Sequence, residues 1–159
     1  MSTVDAPMPT APSLPFPAPR VLIVQAPYYR AIADGLLAGA QRILTEANAL
    51  HEVLDVSGAL ELPQAVRLAV DGSRKFDAFV TLGCVVKGDT DHYQFVCTQT
   101  MAGLMTVALD HALCLGNGLL TVDDIAQATA RSGPDGHNKG AEAAVAALIQ
   151  VRAKRWLSS

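Results

Sequence analysis

Residues 79–93 read FVTLGCVVKGDTDHY, and this stretch indicates the class of fold. It begins with an apolar run that lacks alternation with polar residues, which is typical of a strand buried on both faces of a parallel sheet. A glycine-bounded turn follows, and a helix-compatible pattern begins at about His92. Ligands of open α/β sheets bind beside the carboxyl ends of the strands, so this turn is the first place to expect a functional site.

The same order of strand and helix recurs along the whole chain. We predict strands at residues 20–24, 51–56, 78–85 and 115–120, long helices at 30–50, 62–70, 92–113 and 139–156, and a short helix capped by 121–124 and ending near 131. Parallel strands joined by right-handed crossovers place helices on both faces of one sheet. The expected fold class is α/β, a three-layer sandwich in which helices flank both faces of a four-stranded parallel sheet of flavodoxin-like type.

Two glycines, Gly35 and Gly39, lie within the first of these helices. Each glycine costs on the order of 1 kcal/mol relative to alanine in a helix interior. We expect close packing of this helix on the sheet to offset that cost.

Length and composition predict one globular domain preceded by an arm. The chain has 159 residues, 50% of them hydrophobic, which is enough for one compact core. Residues 1–19 hold Pro7, Pro9, Pro12, Pro15, Pro17 and Pro19. Proline lacks the backbone donor that regular structure needs, so we predict an extended or disordered proline-rich arm at 1–19 and an α/β domain at 20–159. Alternatively, Leu14 and Phe16 lie along the sheet edge of a neighbouring subunit.

Charge and apolar patterning exclude several classes of function. The net charge is −3 and there is no Lys/Arg block, so we expect no nucleic-acid partner. No apolar run reaches the roughly 18 residues of a membrane span, and no secretory signal is evident, so we expect a cytoplasmic protein without membrane contact. Cys84, Cys97 and Cys114 lie within apolar patterns and predict reduced, buried thiols, and the four histidines form no metal-binding signature.

The turn after the third strand is a candidate anion site. Gly88, Asp89 and Thr90 offer backbone N–H groups and a hydroxyl at the positive end of a helix dipole. The alternative is a simple cap, in which Asp89, Thr90 or Asp91 bonds to its own helix. His92 follows directly and is placed for proton transfer near neutral pH, although a histidine in a first helical turn is commonly structural.

Three further groups of residues lie at predicted strand ends or helix ends. In the segment SGALE at 57–61, Gly58 lets a ligand approach the backbone closely, and the Glu61 carboxylate can accept hydrogen bonds from hydroxyl groups. The alternative is that the segment is only a turn and that Glu61 interacts with the dipole of the helix that follows. Tyr28 either stacks on a heterocycle or packs in the core. Arg131 and Lys139 flank a glycine-rich segment, and each taken alone is equally a solvated surface cation.

Read together, these motifs resemble the lumazine synthase family across residues 20–157. The resemblance is carried by Tyr28, SGALELP at 57–63, GCVVKGDTDH at 83–92, GLLT at 118–121, Gln127 with Arg131, and NKG at 138–140. It implies the condensation of 5-amino-6-(D-ribitylamino)uracil with 3,4-dihydroxy-2-butanone 4-phosphate to 6,7-dimethyl-8-ribityllumazine, the penultimate step of riboflavin biosynthesis. It also implies that no metal or redox cofactor takes part.

The resemblance assigns a role to each candidate residue. The substrate-binding residues it implies are Tyr28, Gly58, Ala59, Leu60, Glu61, Val85, Val86, Lys87, Gly88, Asp89, Thr90, Asn117 and Lys139. Tyr28 would stack on the pyrimidine, the 58–61 turn would orient the ribityl chain, and the 88–90 turn would hold the phosphate. His92 would transfer protons, and Arg131 would grip the phosphate. Arg131 and Lys139 would both come from an adjacent subunit.

Three positions depart from the family pattern. Pro27-Tyr28-Tyr29 replaces Arg-Phe-Asn, which keeps an aromatic ring but changes its polar neighbours. Asn117 stands where a large aromatic residue covers the ring from the neighbouring subunit. Lys87 stands where arginine is frequent, a change that keeps the charge but loses the planar fork.

The family builds homopentamers, and the resemblance therefore predicts an oligomer. A decamer and an icosahedral shell of sixty subunits are the larger forms it allows, and riboflavin synthase is the protein partner it suggests. Two alternatives to catalysis stay open at the level of sequence. One is a non-catalytic paralogue that binds flavin or lumazine, motivated by Asn117 and Tyr29, and the other is a cage whose chemistry has decayed.

Overall fold

The computed structural model describes residues 8–134 and 137–159. Within these ranges four strands form one sheet: β1 Arg20–Ala26, β2 Leu50–Asp55, β3 Ala78–Val86 and β4 Cys114–Val122. The helices are α1 Arg30–Glu46, α2 Glu61–Asp71, α3 His92–Asp110, α4 Ile125–Ser132 and α5 Lys139–Leu157. Strand and helix alternate as the sequence predicted, and the α/β fold class is confirmed.

The sheet is parallel throughout, with strand order β2-β1-β3-β4. Ala26 of β1 pairs with Gly83 of β3, and Gly83 pairs with Leu119 of β4. Gln25 pairs with Asp55, the last residue of β2. The register therefore brings the carboxyl ends of all four strands to one edge of the sheet, where the connections to the helices begin.

The core lies on both faces of the sheet. On one face, Val21, Ile23, Val80 and Leu82 pack among residues of α1 and α5. On the other, Leu22, Val24 and Phe79 pack among residues of α2 and α3. The central strands β1 and β3 are thus covered twice, which explains why their sequences are continuously apolar rather than alternating.

Two helices end earlier than their apolar patterns predicted. α1 ends at Glu46 rather than near residue 50, and α3 ends at Asp110 rather than near 113. Asn48 and Ala112 follow these ends with φ of 54° and 48°. A residue in this left-handed region ends a helix, and the apolar residues beyond it belong to the connection into the next strand.

The two glycines of α1 pack against a different element from the one predicted. A Cβ atom at Gly35 would overlap the carbonyl oxygen of Ser132, and one at Gly39 would overlap the side-chain amide of Asn138. The expected close approach to the sheet is therefore wrong. α1 uses these glycines to approach the junction between α4 and α5.

The described part of the N-terminal arm, residues 8–19, contains no helix or strand, while residues 1–7, including Pro7, lie outside the described residues. Arg155 of α5 donates to the carbonyl of Pro15 at 2.6 Å, and Leu14 packs against the core. Phe16, by contrast, is 94% exposed. Within residues 8–134 and 137–159, no helix has the length and apolar character of a membrane span.

The three cysteines are free, but only two are buried. Cys84 and Cys114 lie in the core, as predicted, whereas Cys97 is half-buried. Cys97 differs because it lies on α3, a helix with solvent along much of its length, rather than on a central strand.

Candidate active site

A cleft of about 350 Å³ opens at the carboxyl ends of β1 and β3. Loops after β1 and β2, the end of β3 and the start of α3 form its walls. Its lining residues are Ala26, Tyr28, Tyr29, Ser57, Gly58, Ala59, Leu60, Glu61, Cys84, Val85, Val86, His92 and Val96. Eight residues predicted from the sequence lie together here: Tyr28, Gly58, Ala59, Leu60, Glu61, Val85, Val86 and His92.

Two adjacent tyrosines form the aromatic wall of this cleft. Their ring centroids lie 5.1 Å apart in an edge-to-face arrangement, with an interplanar angle of 69°. Tyr29 is partly buried against the core, whereas Tyr28 is 76% exposed. Tyr28 therefore offers a free ring face for stacking, and Tyr29 supports it from behind.

The turn between β2 and α2 presents a carboxylate beside an open stretch of backbone. The N–H of Glu61 donates to the Gly58 carbonyl at 3.2 Å, and the N–H of Leu62 donates to the Ala59 carbonyl at 3.1 Å. A Cβ atom at Gly58 would lie 3.0 Å from Oε2 of Glu61. The Glu61 carboxylate thus lies over Gly58 in the first turn of α2, where the helix dipole favours a negative charge.

The loop between β3 and α3 is exposed and free of side-chain caps. Asp91 is the N-cap residue of α3 but makes no side-chain cap hydrogen bond. The side chains of Asp89 and Thr90 form no hydrogen bond with any residue in the described ranges. A Cβ atom at Gly88 would meet nothing within 4 Å. The capping alternative is therefore absent, and the backbone from Gly88 to Asp91 is accessible to a ligand.

His92 is the first residue of α3, and its exposed side chain lines the cleft. Cys84 lines the same cleft from β3. Burial raises the pKa of the Cys84 thiol to about 11, and the nearby Cys97 adds to this effect. Because the thiolate is the nucleophilic form, Cys84 serves as a wall of the cleft at neutral pH, while His92 presents an exposed imidazole to the same cleft.

A second cleft, of about 260 Å³, lies between β4, α4 and the start of α5. Its lining residues are Asn117, Gly118, Leu119, Leu120, Thr121, Val122, Gln127, Arg131 and Lys139. Among the residues that the structure describes, the two clefts share no lining residue. Most candidate residues of one chain thus divide into a cleft with Tyr28, Glu61 and His92 and a cleft with Asn117, Arg131 and Lys139. The predicted residues Lys87, Gly88, Asp89 and Thr90 line neither cleft and lie on the exposed loop between β3 and α3.

The second cleft holds two cations in different electrostatic settings. Arg131 lies in the last turn of α4 and donates through Nη1 to the carbonyl of Gln127 at 2.9 Å. Its guanidinium forms no ion pair with a carboxylate in residues 8–134 or 137–159. Lys139 pairs with both carboxylate oxygens of Glu142, at 2.8 and 2.7 Å. Arg131 is therefore the cation available to a bound anion, while Glu142 partly neutralises Lys139.

Asn117 is held in place by three contacts. Its Oδ1 accepts from the hydroxyl of Thr81 at 3.2 Å and from the N–H of Leu119 at 3.0 Å, and its Nδ2 lies 3.0 Å from the sulfur of Met101. An aromatic side chain at this position would make neither oxygen contact. The substitution therefore puts a fixed polar group in this wall of the cleft.

Comparison with known proteins identifies the family. The model of the 6,7-dimethyl-8-ribityllumazine synthase family matches residues 18–155. The chain belongs to this family. It is 48% identical over 145 residues to the 6,7-dimethyl-8-ribityllumazine synthase of Azorhizobium caulinodans, an alignment that covers 89% of this chain and 90% of the relative. The synthase of Paramagnetospirillum magneticum is 44% identical over 144 residues, with 87% and 96% covered.

Lumazine synthase 1 of Rhodopseudomonas palustris is a further relative, 46% identical over 143 residues that cover 87% of this chain and 88% of the relative. The resemblance to the lumazine synthase family that the motifs indicated is confirmed. The matched residues 18–155 contain both clefts and begin one residue before the last proline of the N-terminal segment, Pro19.

Sequence reasoning missed several contacts of this lumazine synthase family member. It did not assign Cys84 and Val96 to the first cleft or Thr121 and Gln127 to the second, although each lies within five residues of an assigned position. It also missed Glu142, the partner of Lys139. The spacing of three residues on one helix is a signal that could have predicted this ion pair.

Proposed function

We infer that this chain catalyses the condensation of 5-amino-6-(D-ribitylamino)uracil with 3,4-dihydroxy-2-butanone 4-phosphate. The products are 6,7-dimethyl-8-ribityllumazine, phosphate and water, and the enzyme is a transferase of riboflavin biosynthesis. The family match over residues 18–155 and the names of the relatives support this activity. The observation that carries it is the meeting of Tyr28, Glu61 and His92 in one cleft at the carboxyl edge of the sheet.

In our proposal the first cleft binds the ribitylaminouracil. The pyrimidine stacks on the exposed ring of Tyr28 and lies against Val85 and Val86, whose side chains are only partly buried. The ribityl hydroxyls hydrogen-bond to the backbone at 58–60 and to the Glu61 carboxylate. The charge of that carboxylate makes it a strong acceptor for hydroxyl donors.

The butanone phosphate binds at the neighbouring loop in this proposal. The uncapped backbone at Gly88, Asp89 and Thr90, together with the positive end of α3, forms the cradle for the phosphate. Lys87 is exposed at the start of this loop and adds positive charge. The loop at 87–90 and the start of α3 can donate hydrogen bonds to only one side of a bound phosphate. A second group must therefore contact the phosphate from its other side.

We assign that second group to Arg131 of an adjacent subunit. A guanidinium fork matches the geometry of a phosphate, and Arg131 has no carboxylate partner among the described residues. It lines the second cleft, apart from the loop at 87–90. Assembly of two copies, with the second cleft of one facing the first cleft of the other, would complete the site with Arg131, Lys139 and Asn117.

The chemistry requires protons to be moved as bonds form and break. Two new carbon–nitrogen bonds close the ring with loss of two molecules of water, and one carbon–oxygen bond breaks to release phosphate. We assign proton transfer to His92, because it lines the cleft together with Tyr28, Val85 and Val86 and directly follows the loop proposed to hold the phosphate. Holding the two substrates side by side supplies a large part of the acceleration.

We propose a homopentamer as the active form. Exposed apolar side chains along α3, namely Phe95 at 65%, Met105 at 60% and Leu109 at 72%, support the covering of this helix by another copy. A decamer or a shell of sixty subunits, and association with riboflavin synthase, remain expectations from the family. A cytoplasmic location is likewise our expectation.

The test is an assay of the purified protein with both substrates. Lumazine absorbance and phosphate release should rise together, well above the rate of the same mixture without protein. A stably assembled oligomer that binds lumazine but leaves both rates at background would overturn the proposal in favour of a non-catalytic binding or cage-forming paralogue.

A further inference from the structure

The side-chain amide of Asn138 joins three helices. Its Nδ2 donates to the carbonyl oxygens of Gly35 at 2.8 Å, Ser132 at 2.9 Å and Gly133 at 3.1 Å. Gly35 belongs to α1, while Ser132 and Gly133 end α4. Asn138 is 5% exposed, so water does not replace these bonds if they are lost.

The oxygen of the same amide caps the next helix. Oδ1 of Asn138 accepts from the N–H groups of Gly140 at 2.9 Å and Ala141 at 3.1 Å, two donors in the first turn of α5. The two ends of one amide therefore have separate tasks. Nδ2 holds the end of α4, and Oδ1 holds the start of α5.

Glycines on α1 allow this arrangement. A Cβ atom at Gly39 would overlap the Asn138 amide, and a Cβ atom at Gly35 would overlap the Ser132 carbonyl oxygen that the amide binds. Glycine is unfavourable in a helix interior, yet α1 has two glycines at the positions where the Asn138 amide and its partner Ser132 come closest. The contact of the Asn138 amide with α1 and α4 therefore depends on glycine at both positions.

The tied positions lie next to the two cations of the second cleft. Arg131 directly precedes Ser132, and Lys139 directly follows Asn138. We propose that Asn138 is a positioning residue that sets the position of Arg131 through the end of α4 and that of Lys139 through the start of α5. The proposal rests on the proposed function, in which Arg131 grips the phosphate of the butanone substrate.

Asn138→Ser separates the two tasks of the amide. Serine keeps an oxygen that caps α5, and it caps about as well as asparagine, but it lacks the NH₂ group that binds the end of α4. Without the NH₂ group, the end of α4 and with it Arg131 can shift, and a displacement of about 1 Å can reduce activity on the order of a hundredfold. We expect a smaller shift of Arg131, which raises KM for the butanone phosphate about tenfold. KM for the ribitylaminouracil should stay within about twofold, since the cap that fixes Lys139 remains.

Two companion measurements distinguish positioning from a general loss of stability. Val66→Ala, a change in a fully buried residue of α2, is the control for stability, and it should leave the ratio of the two KM values unchanged. The double variant Asn138→Ser with Arg131→Ala should bind butanone phosphate no worse than Arg131→Ala alone, because Asn138 acts through Arg131. Inhibition by inorganic phosphate should weaken in parallel with the rise in KM.

Several results would overturn the inference while the wild-type protein remains an active synthase. They are an unchanged KM for the butanone phosphate, an equal rise in both KM values, or additive effects in the double variant. If Asn138→Ser does not fold, Asn138→Thr takes its place, since threonine also caps α5 and also lacks the NH₂ group. An inactive wild-type protein would instead contradict the proposed function, so the two failures are distinguishable.

Discussion

Replacement of Arg131 by alanine should weaken binding of the phosphate substrate selectively. The guanidinium lies in the last turn of α4, and among residues 8–134 and 137–159 it bonds only to the carbonyl of Gln127, through Nη1 at 2.9 Å. The rest of the fork is available to a phosphate. Hydrogen bonds to charged groups contribute about 1.5–3 kcal/mol, and each 1.4 kcal/mol is about tenfold in affinity. Arg131→Ala should therefore raise KM for the butanone phosphate by about tenfold to a hundredfold.

Steady-state kinetics with each substrate varied in turn measures this effect. Arg131→Lys should give an intermediate loss, because lysine keeps the charge but loses the planar fork. Arg42→Ala is the matched control, since Arg42 is an exposed arginine of α1 in an ion pair with Glu46 and exposed pairs contribute little. Equal losses for both substrates, or no loss for Arg131→Ala, would refute the assignment of Arg131 to the phosphate.

Three further predictions concern proton transfer, thiol reactivity and packing. His92→Ala should lower kcat by up to about a hundredfold. This is the low end for general acid–base catalysis, because solvent reaches this exposed site. An unchanged kcat in an intact oligomer would exclude His92 from proton transfer. Burial raises the pKa of Cys84 to about 11, so its alkylation by iodoacetamide should be slow at neutral pH and become faster up to about pH 11. Peptide mass spectrometry measures the labelling, and rapid labelling at neutral pH would contradict this prediction. Gly116→Ala should lower the free energy of unfolding, measured in urea, by about 1–3 kcal/mol, because the added Cβ would overlap the Ala143 carbonyl. Gly88→Ala is the control, since a Cβ there has open space. Equal free energies of unfolding for the two variants would contradict the close packing at Gly116.

The fold could be predicted from the sequence because its strands and helices carry strong local signals. The run from Ala78 to Val86 is apolar at every position but Thr81 and Gly83, and it is the strand that the structure covers on both faces. Helix ends were harder to predict. Nothing in the residue types around Ala112 signals a left-handed backbone, so the pattern of α3 ran on to Leu113.

The candidate site could be predicted as a set of residues but not as an arrangement. Val85 near the end of β3 and Glu61, which follows β2 at the start of α2, fall in one cleft because parallel strands share a carboxyl edge. Arg131 and Lys139 follow the last strand, and sequence order alone does not say that they form a separate cleft. The role of Asn138 depends on contacts up to 103 residues apart, between Asn138 and Gly35, which no local pattern reveals.

The most direct test of a synthase site shared by two subunits is complementation between impaired subunits, assayed with butanone phosphate well below the KM of the Arg131→Ala protein. His92→Ala and Arg131→Ala proteins are unfolded together in equal amounts and refolded into mixed oligomers. In a ring where each site takes His92 from one subunit and Arg131 from the next, about a quarter of the sites regain both residues. We predict lumazine formation at about a quarter of the wild-type rate. Activity no higher than that of the two variants assembled separately would contradict a shared site.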